Sequence, residues 1–450
     1  MSRIVGRLWA VPVTLCLIAM VAGGCAVDQQ EEVATYRKVI DIDAPPIPDD
    51  QPLTLRDALL AANRSNEQLD IEGEQYLRTL IDRHRAVAEF LPTVDLVGDH
   101  VRRDRTSGAQ HRTFDLSADL QINVFNGFRD IHRYWRDTFR IAQQRSDLLA
   151  FQETLLLDVA EVYYQVLRSE ELVRVLVRSL EVQEERLRDA RGRFEAGMAR
   201  PLDVAQTEAQ ASATRTTLID ARRAVSNARA LLHLLTRLPT DDRELIDGYT
   251  LPRTVEPLEA YLAAANASRH ELAAARAAVE AARHDVEVAF GQYYPSVSID
   301  FSAYLYRETA PDERAWDGLL RANLPLFAAG RIHADVREAW SFYRQALLVE
   351  SFLQRQVHQQ VQRAYQDFVA SQARLDELQI NVAAAEQAFQ QAEASYRAGL
   401  GTNLERIAAQ DTLLEAQLQY ASEQYDLKFF YLALLRASGL LRAELEALTP

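Results

Sequence analysis

The sequence predicts a mainly α-helical fold with a membrane β-barrel part, and three observations predict it. Between Gly127 and Gly192, and again between Gly330 and Gly399, the chain contains no Gly or Pro; at ~1.5 Å per residue either stretch makes a helical rod of roughly 100 Å. Four other segments, about 93–103, 113–124, 296–306 and 317–327, alternate apolar and polar residues, the period of a strand with one wet face. Landmarks of the first half also return in the second, in one order and at one spacing. Phe90-Leu91-Pro92-Thr93-Val94 returns as Tyr294-Pro295-Ser296-Val297, and Ala196-Gly197-Met198 as Ala398-Gly399-Leu400. An internal two-fold repeat that long is not a short solenoid unit.

Residues 1–24 read as an address. Arg3 and Arg7 form a charged start, and Leu8 to Val21 an apolar run too short to span a membrane comfortably. Ala22-Gly23-Gly24 then lead into Cys25. This resembles a bacterial lipoprotein cleavage box, with Ala22 where Leu is usual, and it implies a covalent lipid on Cys25. Ala26, in place of Asp, implies sorting to the outer membrane. Cys16 leaves with the signal, so a cystine framework is excluded. Residues 25–52, with Asp43-Ala44-Pro45-Pro46-Ile47-Pro48, read as an extended, lipidated tether.

Each half then runs helix, two strands, very long helix, tight turn, shorter helix. The first unit spans 53–240. Thr54 and Asp57 are placed to cap its first helix, which continues to Phe90; a long helix covers 130–196 and a return helix 202–238. Residues 241–256 link the units at an equatorial region. The second unit spans 257–450, with a long helix over 332–398 and a return helix over 404–438. Leu155, Val159, Val162, Val166, Val173, Leu176 and Leu180 keep heptad-like spacing, a seam for helix-along-helix packing. The return helices are about half as long as their partners, so the first helix of each unit is expected to stack end to end on the return helix.

The strands are 11 or 12 residues long, close to the ~9–11 needed to cross a bilayer at a tilt. Their polar faces carry Asp, Asn and Ser, suited to a water-filled lumen, and Tyr293, Tyr294, Tyr304, Tyr306 and Trp316 sit near strand ends. Four strands cannot close a barrel, and an open edge in lipid leaves backbone groups unsatisfied. More than one copy is therefore required, with eight strands from a dimer or twelve from a trimer.

The formal charge is −15 and Lys38 and Lys428 are the only lysines; with no basic run, nucleic acid is excluded as a partner. The nine histidines are scattered, and no metal spacing, nucleophile triad or phosphate loop is present. The expectation is no enzyme, no metal and no cofactor beyond the lipid. Met198 is the one methionine after residue 24, which argues against a thioether route for copper or silver.

The chain is similar to TolC-family outer-membrane efflux proteins over about residues 53–440, and specifically to the lipid-anchored branch serving multidrug export. The resemblance is carried by the strand entries at Pro92 and Pro295, by Pro325-Leu326-Phe327-Ala328-Ala329-Gly330-Arg331, and by Tyr396-Arg397-Ala398-Gly399-Leu400-Gly401-Thr402. The first copy is looser, with Asn123 in place of the Pro and Phe128 in place of the Gly. The resemblance implies a homotrimer with a twelve-stranded barrel in outer-membrane lipid. It also implies a periplasmic helical tunnel whose tips meet a periplasmic adaptor (a membrane fusion protein) attached to an inner-membrane pump. Function would be a passive exit duct, closed at its tips until the adaptor engages. Gly197, Met198, Gly399, Leu400 and Thr402 are then adaptor-contact candidates. Glu405, with Asp203 as its counterpart, would line the closed mouth, and Arg200, Arg397 and Arg406 would hold it by salt bridges. Ala408 stands where the family often has another Asp; Asp411 is the next acid. Two other readings stay open: a duct for type I protein secretion on the same fold, and a periplasmic coiled-coil adaptor or structural lipoprotein.

Overall fold

The computed structural model describes residues 27–42, 51–104, 110–240, 243–252, 255–309 and 314–447. Cys25, the signal and the Pro-rich residues 43–50 lie outside them. The fold is mostly helical, with one four-stranded sheet at one end.

The tether is not extended throughout. Gln29–Ile40 is a helix (α1), capped by Asp28, with Glu31 and Glu32 in its first turn and Arg37 and Lys38 in its last. That charge order suits the helix dipole. Tyr36 and Ile40, four residues apart, place two apolar side chains on one buried face. Tyr36 lies against Gly73, and Arg37 pairs with Asp70.

A two-residue strand, β1 (Leu53–Thr54), leads into α2 (Leu55–Ser65) through the expected Thr54/Asp57 capping box. The helix expected to run to Phe90 breaks at Asn66, which ends α2 and caps α3 (Glu67–Ala88) by accepting from Gln68 and Leu69 N–H. In the second half the break falls at Arg269, between α6 (Leu258–Ser268) and α7 (His270–Phe290).

The long helices are α4 (Arg129–Glu195) and α8 (Arg331–Arg397), and the return helices are α5 (Pro201–Thr236) and α9 (Asn403–Ala437). Arg215–Glu184, Arg168–Asp426 and Arg374–Glu423 tie α5 to α4, α4 to α9, and α9 to α8, at 2.7, 2.7 and 3.2 Å. On the sheet side of the equator, Arg140–Asp285 at 3.2 Å ties α4 to α7, and Arg276–Glu350 at 3.8 Å ties α7 to α8. The breaks are where helices stack. Ser65 Oγ and Asn66 Nδ2 donate to the carbonyls of Thr236 and Leu235 at 2.9 and 3.3 Å, and Arg269 Nη1 donates to that of Ala437 at 2.7 Å. The orphan carbonyls ending α5 and α9 are thereby satisfied. Each chain thus presents four rods: α4, α8, and the composites α3/α5 and α7/α9.

The main core gathers at this equator. The strap containing β4 (Leu245–Ile246), which pairs in parallel with β1, crosses α4 and α9. Tyr163, fully buried, places its hydroxyl 2.7 Å from the carbonyl oxygens of both Leu53 and Ile246, which share its one proton, and Lys428 bonds Asp247 and the carbonyl of Tyr249 at 2.7 Å. A final helix, α10 (Leu441–Ala447), buries Leu441 and Leu445 here.

The sheet is antiparallel with order β2 (Thr93–Asp104), β3 (Gln110–Phe125), β5 (Ser296–Arg307), β6 (Trp316–Asn323). One face reads Val94–Leu120–Phe301–Gly318 and Leu96–Ala118–Ala303–Trp316 across the strands. The other reads Asp95–Asp119–Ser302–Asp317, with Leu319 and Val97 apolar exceptions in the rows on either side. The last strand was expected to reach residue 327 but stops at Asn323. Its partner begins at Ser296, directly opposite Asn323 and just after Pro295, so residues 324–327 have no strand to pair with. Pro325 has no N–H to offer in any case. Leu326 and Phe327 stand 88% and 90% exposed instead.

Where strands hand over to helices, Gly127 (φ +74°) lies so close to Gly291 that a Cβ on it would sit 2.3 Å from the Gly291 carbonyl oxygen. Phe128, in place of the expected Gly, itself adopts the left-handed conformation at φ +62°. Its ring packs edge-on to Phe125 and Tyr294. Gly127→Ala is expected to disrupt this junction, read as a lowered midpoint of thermal unfolding, whereas Phe128→Ala lowers it far less.

A buried ionic group sits at the joint of α4, α7, α9 and α10. Glu153 is 2% exposed, its Oε1 is 3.8 Å from His270, and Arg269 and Arg436 bond the adjacent Glu271. Burial, reinforced by Glu271, pushes the Glu153 carboxyl up to about 7 against the pull of Arg436, Arg269 and Arg442. A folded value above the unfolded one means that the contribution to stability is present below the unfolded value and lost as pH rises through about 7. Thermal unfolding should show stability declining between about pH 4.5 and about pH 7, and Glu153→Gln should remove a total decline on the order of 3 kcal/mol.

Candidate gate at the helical tips

The α4–α5 and α8–α9 turns lie at the far end of the rods from the sheet. Both long helices close on glycine in the left-handed region, Gly197 at φ +74° and Gly399 at +75°. Gly197 N–H bonds the Phe194 carbonyl and Met198 N–H that of Arg193, at 2.9 and 2.7 Å; Gly399 and Leu400 bond those of Tyr396 and Ser395 at 3.1 and 2.9 Å. These are Schellman closures, which usually turn the residue after the glycine back onto the helix. Here Met198 and Leu400 stay 75% and 86% exposed. The two turns therefore present unburied apolar knobs.

The acids expected at the mouth cap the return helices. Thr402 Oγ1 accepts from Glu405 N–H at 3.2 Å, while Glu405 Oε2 accepts from Thr402 N–H at 2.9 Å; Glu405 is exposed. Asp203 is buried and takes a fork from Arg200, Nη2 to Oδ1 at 2.9 Å and Nε to Oδ2 at 3.2 Å. Those hydrogen bonds hold its carboxyl below the usual range.

Arg406 and Arg397 belong to a second cluster, centred on a residue that sequence reasoning missed. Glu393 Oε1 is 3.0 Å from Arg397 Nε, and its Oε2 is 3.3 Å from Arg186 Nη2 and 4.0 Å from Arg406 Nη1. Arg406 is buried, lies over the Tyr396 ring at 4.3 Å, and donates to Asn403 Oδ1 at 2.7 Å. Arg186 stacks on Phe389 at 4.6 Å and bonds Gln410; burial pushes its guanidinium down. Asn403 Nδ2 donates to the Asp203 carbonyl at 3.2 Å, and Gln210 bonds Asp411, so the start of one hairpin's return helix is tied to the other's. Three arginines thus share one carboxylate where the two hairpins meet. Nothing in the linear sequence pairs Arg186 with Glu393; only the crossing of α4, α8 and α9 does.

Gly399→Val forces a β-branched residue into the left-handed region and should cost at least ~1–2 kcal/mol. The expected readout is faster tryptic cleavage at the tip with unchanged behaviour of the sheet region.

Residues 82–236 and 261–440 match the outer membrane efflux protein family. The outer membrane efflux protein BepC of Brucella suis is 26% identical over 87% of this chain and 86% of its own length. The outer membrane protein TolC of Vibrio cholerae is 26% identical over 66% of this chain and 70% of its own length. The crystal structure of the outer membrane protein VceC of Vibrio cholerae superposes with a TM-score of 0.76 at 20% identity, covering 86% of this chain and 96% of that one. The strand–rod–tip architecture and these matches agree: the chain belongs to the outer membrane efflux protein family.

Proposed function

We propose that this outer-membrane efflux channel works as a homotrimer in which three four-stranded sheets close a twelve-stranded barrel and twelve rods prolong it as a periplasmic tunnel. The duct passively conducts small molecules delivered by a periplasmic adaptor and an inner-membrane pump. The supporting observation is the sheet itself: apolar rows run across one face from β2 to β6, and among the described residues neither edge has a partner. The repeat seen in the sequence gives each chain two hairpins for one wall. Cys25, acylated, would hold each chain to the inner leaflet beside the barrel.

At the tips, Met198 and Leu400 are apolar contacts for the adaptor, flanked by Gly197, Gly399 and Thr402. Glu405 faces the mouth, with Asp203 fixed beneath it by Arg200. The tie that keeps the hairpins together runs through Glu393 with Arg186, Arg397 and Arg406, and through Asn403. Adaptor docking on the knobs would part these groups.

Three measurements test this. Mass determination in detergent should give three copies per particle; a single-copy particle overturns the proposal. Planar bilayers should show rare, small openings for the wild type and several-fold more frequent ones for Glu393→Gln. Cys25→Ser should abolish palmitate incorporation while the trimer still forms.

A further inference from the structure

A cavity of about 1210 Å³ lies between all four rods. It is walled by Leu172 and Leu176 of α4, Ala221 and Ala224 of α5, Ala373 and Leu378 of α8, and Leu418 of α9. Drug-sized ligand sites share this apolar character, and the trough has room for such a molecule. Its position follows from helical geometry. The equatorial strap bonds Tyr163 of α4 and packs on Tyr431 of α9. Leu172 and Leu176 follow Tyr163 by nine and thirteen residues, and Ser422 and Leu418 precede Tyr431 by the same steps. At ~100° per residue these positions point about 180° and 220° away from the strap. The cavity therefore opens on the surface of α4 and α9 opposite the equatorial layer, with α5 and α8 raised on either side.

The rim is acidic. Asp220, Glu377 and Glu423 line it against a single cation, Arg374, which is committed to Glu423 at 3.2 Å. Ser371 bonds Glu423 as well. Arg223 pairs with Asp220 at 3.4 Å, so among the described residues Glu377 is the rim carboxylate without an ion pair; an apolar floor with that charge at its edge complements a flat hydrophobic body carrying positive charge, and repels the corresponding anion.

We propose that this trough is a cargo-contact site on the inner wall of the tunnel, taking amphipathic organic cations of drug size, one per chain. The proposal rests on the tunnel reading above, since only a ring of rods turns this face inward. Bound cargo would slow in transit here, where apolar contact replaces water, and the carboxylates would bias the duct toward cations.

The test uses the full chain reconstituted in planar bilayers and, separately, in detergent. Rhodamine 6G and fluorescein serve as probes, a cationic and an anionic dye on one xanthene scaffold. Anisotropy titration should show saturable rhodamine 6G binding, one per chain, and at least tenfold weaker fluorescein binding. Ala373→Trp, which sets an indole into the trough and narrows it, should weaken rhodamine 6G binding at least tenfold. Glu377→Gln, an exposed change that leaves packing alone, should weaken it severalfold and reduce its salt dependence. In bilayers, rhodamine 6G should block single open channels, with dwell times shortened by either variant. Equal binding of both dyes, or Ala373→Trp without effect on a correctly assembled particle, overturns the site. So does loss of adaptor binding, rather than dye binding, in Ala373→Trp, which would make the trough a protein-docking face. Absence of any conductance overturns the tunnel reading; conductance without dye blockade overturns this site alone.

Discussion

A bilayer offers no hydrogen bonds, so every backbone N–H and C=O within it needs a partner from protein. This constraint shapes the chain. Its sheet carries apolar rows on one face and carboxylate-bearing rows on the other, and among the described residues it is open along β2 and β6. In the proposed assembly, other copies supply the strands that such edges lack. The like-charged neighbours on the polar face, Asp95 opposite Asp119 and Asp99 opposite Asp115, would be costly in a dry interface and are tolerable where water screens them. Wet face, greasy face and open edges are thus one requirement seen three ways.

The helical part answers a different problem, that of making a wall much longer than a globular core can support. Two rods are continuous. The other two are spliced, and the splices carry polar side chains because a helix end buried without partners leaves orphan groups. Asn66 serves one splice as both stop and start signal, and Arg269 reaches across the other. The same equatorial layer buries Tyr163, Gln152, Asn63 and Glu153. The centre of the molecule is consequently held by directional bonds as much as by apolar packing, which fixes the register of the rods.

At the tips, the chemistry that starts and stops helices overlaps the chemistry expected of a gate. Glu405 and Asp203 are both engaged in capping their own helices. The contacts that bind one hairpin to the other come from Asn403, Gln410, Arg186 and Glu393. A tie built from long Arg side chains around one half-buried carboxylate suits the proposed opening, since water can replace each bond if the hairpins separate.

Much was legible in the linear sequence, for physical reasons. Period-two alternation is local, so the strands and their wet face could be read directly, as could the rods, from the absence of Gly and Pro, and the tips, from glycines that tolerate the left-handed region. What depended on distant residues could not be read. The capped helix at 29–40 needed α3 to bury Tyr36 and Ile40. The end of β6 at Asn323 was set by where its partner strand begins, and Glu393 became a hub only once three helices crossed. Local backbone preferences are written residue by residue in the chain; which side chains meet is decided by packing, and that belongs to the folded molecule alone.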